Sequence, residues 1–277
     1  MRLGGPLFTD CSKPDLWVAA LKKSGYTAAY APVDPAACDE LVQCYVAAAK
    51  DANIVIAEVG AWSNPMHPDE AKRREALALC KARLDLAEQL GARCCVNITG
   101  SRGEPWDGPH PDNLTKATFD LIVQTTREII DAVKPKRTFY TLETMPWMYP
   151  DSPDSYLDLI KAIDRSQFGV HLDPVNLVCS PQRYFNNGAL LRECFAKLGP
   201  HIRSCHGKDI TLASKLMTHL DEVRPGLGNM DYHTFLRELN KLDPDTPLML
   251  EHLATEEEYN QAAGYVRSIA AAENIAL

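Results

Sequence analysis

No stretch of this sequence approaches the ~18 consecutive apolar residues that a membrane-crossing helix needs, so no such helix is expected. The N-terminus, MRLGGPLFTD, lacks an apolar core followed by a small-residue cleavage site. It does not read as a signal peptide, and the expected location is cytoplasmic. Positive charge is scarce: 29 Lys and Arg stand against 37 Asp and Glu, a net charge of −8. A chain this acidic is a poor match for a phosphate backbone, so no nucleic-acid partner is expected. The nine cysteines contain no Cys-x-x-Cys pair, which argues against a thiolate zinc cluster and a redox dithiol. Most sit in apolar or helical stretches and read as reduced, buried thiols. A Gly-x-Gly-x-x-Gly turn is missing as well. Leu3-Gly-Gly-Pro cannot replace it, because Pro6 blocks a helix there, so nucleotide binding is unsupported. No linker or low-complexity stretch divides the chain, and residues 1–277 are expected to form one domain.

What the chain does have is a recurring unit, a short apolar run followed by an amphipathic helical stretch. The runs are Leu3–Phe8, Tyr26–Ala31, Ile54–Val59, Cys94–Ile98, Phe139–Leu142, Phe168–Leu172, Ile202–Cys205 and Pro247–Leu250. Each is rich in β-branched or aromatic residues, as a strand buried on both faces should be. Helical patterns cover Asp15–Ser24, Asp69–Leu90, Asn113–Val133, Asp154–Ile163, Gly188–Leu198, Asp231–Leu242 and Glu256–Glu273. Gly25 and Gly91 follow the first two as C-terminal caps. Asp231 reads as an N-cap, and Thr255 with Glu258 as a capping box. Eight strands alternating with helices over this length predict a single (β/α)8 TIM barrel.

In such a barrel, functional side chains sit at the C-terminal ends of the strands. The last four strands end in Thr141-Leu-Glu143, His171-Leu-Asp173-Pro-Val-Asn176, Cys205-His206-Gly-Lys208-Asp209 and Leu250-Glu251-His252. A carboxylate or imidazole within apolar sequence needs a partner or a metal. Three carboxylates and one histidine converging at one barrel mouth would repel without a cation. An oxygen-rich set with one imidazole favours Mn²⁺ or Mg²⁺, with Co²⁺ or Zn²⁺ as further choices.

These segments resemble the xylose-isomerase-like TIM-barrel superfamily, and the likeness runs essentially the whole chain, including Glu58-Val-Gly-Ala-Trp-Ser-Asn64. That group holds sugar phosphate isomerases and epimerases, ketose 3-epimerases, inosose dehydratases and endonuclease IV. The resemblance implies one Mn²⁺-type ion on Glu143, Asp173, His206 and Glu251. It also implies where this chain departs. Endonuclease IV has further histidines and an Asp-x-His, whereas here Asn176 follows Asp173 by three and Leu220-Asp-Glu-Val-Arg precedes Gly226. Ketose 3-epimerases have a second glutamate and a substrate histidine where this chain has Tyr149 and Asn176.

Two glutamates facing one metal suit proton transfer at a carbon next to a carbonyl, through a metal-stabilised enediolate. Glu143 and Glu251 are therefore the expected acid/base pair of a sugar isomerase or epimerase. Loss of a β-substituent instead would make the protein a lyase, either a keto-inositol dehydratase or a 3-oxo-glycoside β-eliminating deglycosidase. A metal-stabilised sugar-binding protein is the non-enzymatic alternative. The expected partner is a small sugar or keto-sugar, and a homo-oligomer or a small partner subunit fits the resemblance. Trp62, Trp106 and Trp147 follow strand ends and are expected against a sugar's apolar face. Asn64, Asn97 and Asn176 are expected on hydroxyls. By strand alternation His171 should share the inward face with Asp173, and Lys208 that of His206. His171 could hold a substrate oxygen or a metal ligand; Lys208 could anchor a carbonyl, an alkoxide or a phosphate, or pair with Asp209. Arg224 lies in the loop after strand seven as a further substrate candidate. The Pro/Gly-rich segment 101–112 is expected to cover the substrate.

Overall fold

The apolar runs become strands because each is enclosed twice, by helices outside and by barrel contents inside. The computed structural model describes residues 1–277. Its barrel strands are β1 (Arg2–Gly4), β2 (Ala28–Tyr30), β3 (Val55–Gly60), β4 (Cys94–Asn97), β5 (Tyr140–Glu143), β6 (Phe168–Leu172), β7 (Ile202–Gly207) and β10 (Pro247–Leu250). All pair in parallel, and β1 closes the ring between β2 and β10. Between β7 and β10 lies an antiparallel hairpin, β8 (Asp209–Leu212) and β9 (Leu220–Val223), which the apolar pattern does not single out. The chain is thus a closed (β/α)8 TIM barrel with one inserted ribbon.

The helices are α1 (Pro14–Ser24), α2 (Asp39–Asp51), α3 (Glu70–Leu90), α4 (Lys116–Val133), α5 (Pro153–Ile163), α6 (Pro181–Phe185), α7 (Asn187–Leu198), α8 (Tyr232–Leu239) and α9 (Glu256–Ala272). Gly25 and Gly91 end α1 and α3 in the left-handed conformation, as glycine permits. Asp231 caps α8 by accepting from Thr234 N–H. At α9 the box is half made: Thr255 Oγ1 accepts from Glu258 N–H, while the Glu258 carboxylate accepts from Ala254. The α2 segment falls outside the expected helices. It is held by Val42, Tyr45 and Ala49 on one buried face. The first strand is shorter than Leu3–Phe8, because Pro6 has no N–H for the ladder. No helix is long and apolar enough to cross a membrane. All nine cysteines are free thiols, five of them buried.

The main core of 57 buried residues lies between strands and helices. Ile56, Val59, Val170, Leu172, Ile202 and Cys205 enter it from the outer strand faces. The barrel interior holds a small apolar cluster of Ala28, Ala57 and Met249. Fully buried Glu58, His171, Ser204 and His206 join one another there. Two register shifts set this content. One falls where Ala29 pairs Ile56 but Tyr30 pairs Glu58; the other where Val170 pairs Ile202 but His171 pairs Ser204. Each inserts one residue and turns the following side chain, Glu58 or Ser204, inward.

Candidate metal centre and adjoining cavity

Glu143 ends β5, Asp173 follows β6, His206 lies in β7 and Glu251 follows β10. One ligand atom from each lies within 4.8 Å of all the others. His206 Nδ1 stands 2.8 Å from Glu251 Oε1, 3.2 Å from Glu143 Oε1 and 3.9 Å from Asp173 Oδ2. Asp173 divides its labour. Oδ1 accepts from the backbone N–H groups of Val175 and Asn176, at 2.9 and 3.2 Å, which leaves Oδ2 for the cluster. Asn176 Nδ2 donates to Glu143 Oε1 at 3.1 Å and to the Thr144 carbonyl at 3.0 Å, so this amide orients a carboxylate.

Lys208 sits among the acids, its Nζ 2.6 Å from Glu251 Oε1, 2.9 Å from Asp173 Oδ2 and 3.8 Å from Glu143 Oε1. It does not pair with Asp209, whose carboxylate is spent on backbone N–H groups. Despite the nearby ammonium, Asp173 Oδ2 and Glu251 Oε1 have no aligned hydrogen-bond donor. Buried carboxylate oxygens without aligned donors, beside one imidazole nitrogen, fit a hard to borderline divalent cation. Glu143, Asp173, His206 and Glu251 could hold it.

The charges explain one another. Burial lifts the Asp173 carboxyl to about 6, although Lys208 opposes the rise. For Glu143 and Glu251 burial also pushes upward, but His206 and Lys208 together outweigh it and hold both below the usual carboxylate range. Burial alone would lower the His206 pKa. Glu251, Glu58 and Glu143 reverse that and keep it well above the ordinary imidazole value. Lys208 is raised in the same way, against burial, by Asp173, Glu251 and Glu143.

Beneath the cluster, Glu58 accepts from both imidazoles. Its Oε1 lies 2.9 Å from His171 Nε2, and its Oε2 lies 3.3 Å from His206 Nε2. Ser204 Oγ also donates to Glu58. His171 stacks edge-on to His206 at 4.2 Å between centroids, so it braces a candidate ligand below the cavity. Glu58 is the residue that the strand-end reading passes over. A glutamate inside the apolar run Ile54–Val59 was its signal, by the same buried-charge argument.

Above the cluster opens a cavity of about 650 Å³. Glu143, Glu251, Lys208, Asn176, Trp62, Trp106 and Trp147 all line it. Asp107, Glu222 and His252 line it too, and sequence reading does not find them. Glu222 arrives on β9, and its Oε2 lies 3.2 Å from His252 Nδ1. Three candidates lie elsewhere. Asn64 is buried, its Nδ2 donating to the Ser101 carbonyl at 2.8 Å and its Oδ1 accepting from Met66 N–H at 3.0 Å. Asn97 turns outward toward α3, where it bonds Ser63 and Cys80. It shares strand parity with Cys95, a residue of the outer core. Arg224 donates to its neighbour's carbonyl, Pro225 O, and is not among the lining residues. The 101–112 segment delivers Trp106 and Asp107 to the cavity, and Trp147 Nε1 donates to the Asp107 carbonyl at 2.7 Å.

No curated protein matches the chain. Solved structures do. A xylose isomerase-like TIM barrel protein from Mycobacterium smegmatis, in complex with magnesium, is 18% identical with a TM-score of 0.67, over 94% of this chain and 90% of that one. D-psicose 3-epimerase from Clostridium cellulolyticum H10, with D-tagatose, is 14% identical with a TM-score of 0.70, over 100% of both chains. A probable 3-DHS dehydratase of petrobactin synthesis from Bacillus anthracis is 14% identical with a TM-score of 0.67, over 97% of this chain and 98% of that one. At these identities the likeness is one of fold. The family model described as xylose isomerase-like TIM barrel matches residues 18–271, and the chain belongs to that family.

Proposed function

We propose that the protein is a divalent-metal-dependent sugar isomerase or epimerase that moves a proton at a carbon beside a carbonyl. One observation carries this reading: Glu143 and Glu251 share the buried cluster, stand on non-adjacent strands, and both line the cavity. A sugar between them meets one carboxylate as base and the other as acid. Return of the proton to the same carbon epimerises, and return to the neighbouring carbon isomerises. Asn176 and His206 hold Glu143 in place, while His206 and Lys208 hold Glu251. The basic partners favour the ionised form that the base needs, while the glutamate that acts as acid must first take up a proton, so the step starts with one of the pair ionised and the other protonated. A divalent ion on Glu143, Asp173, His206 and Glu251, with Mn²⁺ the first choice, supplies Lewis acidity at the substrate carbonyl. The magnesium bound by one structural neighbour supports a divalent ion of this class.

A lyase is the second reading. Elimination requires a proton for the leaving group, and Glu222 with His252 places two further titratable groups at the cavity. A dehydratase stands among the structural neighbours. Release of water or an aglycone separates this outcome from isomerisation.

The test uses Mn²⁺-loaded protein in D₂O, with ketohexoses and 3-oxo-glucosides as trial substrates. Glu143→Gln and Glu251→Gln should each lower turnover and solvent-deuterium uptake by roughly 10²-fold, the size of a general-base contribution. KM should change little. Near wild-type exchange in both variants would overturn the two-glutamate mechanism.

A further inference from the structure

The cavity departs in three ways from what a free or phosphorylated monosaccharide needs. The first is charge. Its wall carries one lysine and no arginine, and that lysine is already held by Asp173 and Glu251. Asp107, Glu222, Glu143 and Glu251 make the remainder acidic. A divalent ion on the cluster would offset Glu143 and Glu251, but Asp107 and Glu222, the latter paired with His252, still leave the outer wall with no spare cation for a phosphate dianion.

The second is the backbone. TIM barrels commonly bind phosphate through N–H groups of the loops after the seventh and eighth strands. Here the carboxylate of Asp209 takes the corresponding loop N–H groups. Oδ2 accepts from Gly226 at 2.9 Å and Gly228 at 3.0 Å, and Oδ1 from Met230 at 2.9 Å. The anion cradle is filled by the chain's own side chain.

The third is the apolar wall. Trp62, Trp106 and Trp147 remain 43%, 38% and 40% exposed while lining one cavity. Trp62 rests on Gly60, where a Cβ would stand 2.4 Å from its Nε1. Trp147 is tied to the Asp107 carbonyl through Nε1, so its N–H is committed and its ring is the surface it offers. A cavity of about 650 Å³ holds about twenty waters at liquid density. Each bonded heavy atom displaces less than one water, so a free hexose leaves much of this space wet and the indoles uncovered.

From these features, and resting on the reading of the cluster as a sugar site, we infer that the substrate is an uncharged glycoside. Its sugar lies over the carboxylate cluster, and a second ring lies against Trp62, Trp106 and Trp147. The second ring is an aromatic aglycone or another sugar; both present an apolar face to indole.

Isothermal titration of the Mn²⁺-loaded protein with phenyl β-D-glucoside, maltose, D-glucose and D-glucose 6-phosphate tests this. At least one two-ring ligand should bind about tenfold more tightly than glucose and its phosphate. A stronger phenyl glucoside identifies an aromatic aglycone, and a stronger maltose a second sugar. The Trp106→Ala, Trp147→Ala double variant should shrink that preference to within about threefold, and the matching Phe variants should retain most of it. Tightest binding of glucose 6-phosphate, equal binding of glucose, a preference that survives both Ala changes, or no binding of either glycoside overturns the inference. These binding results need no turnover. Absence of deuterium uptake alongside the expected preference would instead sink the proton-transfer reading alone.

Discussion

Glu58 shows how much of a site one carboxylate can hold. It receives both imidazoles and the Ser204 hydroxyl in full burial, and the two histidines overcome the upward pull of burial to keep it strongly ionised. A carboxylate bonded to the far nitrogen of a ligating histidine fixes its tautomer and raises its basicity. Glu58→Gln should therefore fold but bind Mn²⁺ about 10–100-fold more weakly by calorimetric titration. Glu58→Ala leaves two buried imidazoles unpartnered and should cost roughly 3–5 kcal/mol in thermal or urea denaturation. Unchanged Mn²⁺ affinity in the glutamine variant would reduce Glu58 to a packing role. His206 sets the pH behaviour. Its surrounding carboxylates hold it protonated well above the usual imidazole value, and a metal must take that proton's place on Nδ1. Metal binding thus releases a proton, and affinity should rise with pH until it reaches the raised His206 pKa. The expected slope is roughly tenfold per pH unit, and steeper below about 6, where Asp173 must also give up a proton. Mn²⁺ affinity independent of pH between 5 and 8 would contradict the assignment of His206 as a ligand.

At the scale of elements, the β8–β9 hairpin and the loop after it decide the cavity's rim. Both depend on Asp209, which gathers the N–H groups of Ile210, Gly226, Gly228 and Met230. Gly228 passes so close that an added Cβ would stand 2.2 Å from Asp209 Oδ1. Asp209→Ala should lower stability by roughly 2–4 kcal/mol through these lost charge-assisted bonds. Hydrogen exchange should show deprotection at 226–230 while the barrel strands stay protected. Full protection of that loop in the variant would show that packing, and not the carboxylate, holds it. The hairpin was not legible in the sequence, because Leu220-Asp-Glu-Val-Arg has no apolar face of its own and folds only against β8. The caps at Gly25, Gly91 and Asp231 were legible, since a capping residue acts on the few backbone groups beside it.

For the whole molecule, closure is the controlling fact. Arg2 pairs with Pro247 and Leu3 with Leu248, so the ring is complete only when the ends of the chain meet. The core of 57 residues draws on strands and helices all around the barrel. We expect one calorimetric transition with equal van't Hoff and calorimetric enthalpies, the behaviour of one cooperative unit. Two resolved transitions would show that part of the barrel folds independently.

Fold class and the four-residue cluster were within reach of the sequence by itself. Apolar runs specify strands buried on both faces, and carboxylates and imidazoles stand out where such runs end, because an isolated buried charge is costly; the family resemblance picked Glu143, Asp173, His206 and Glu251 from among them. Tertiary structure alone decided which way several side chains point. Strict alternation places Glu58 with outward Ile56, and a register shift turns it inward; Asn97 keeps its parity with Cys95 and faces α3. It also decided that the Asp209 carboxylate gathers the loop after the ribbon, and that Glu222 reaches the cavity from that ribbon. The physical reason is range. Propensity and capping act between neighbours in the chain, whereas a shift of one residue in register is settled by how two distant strands pack.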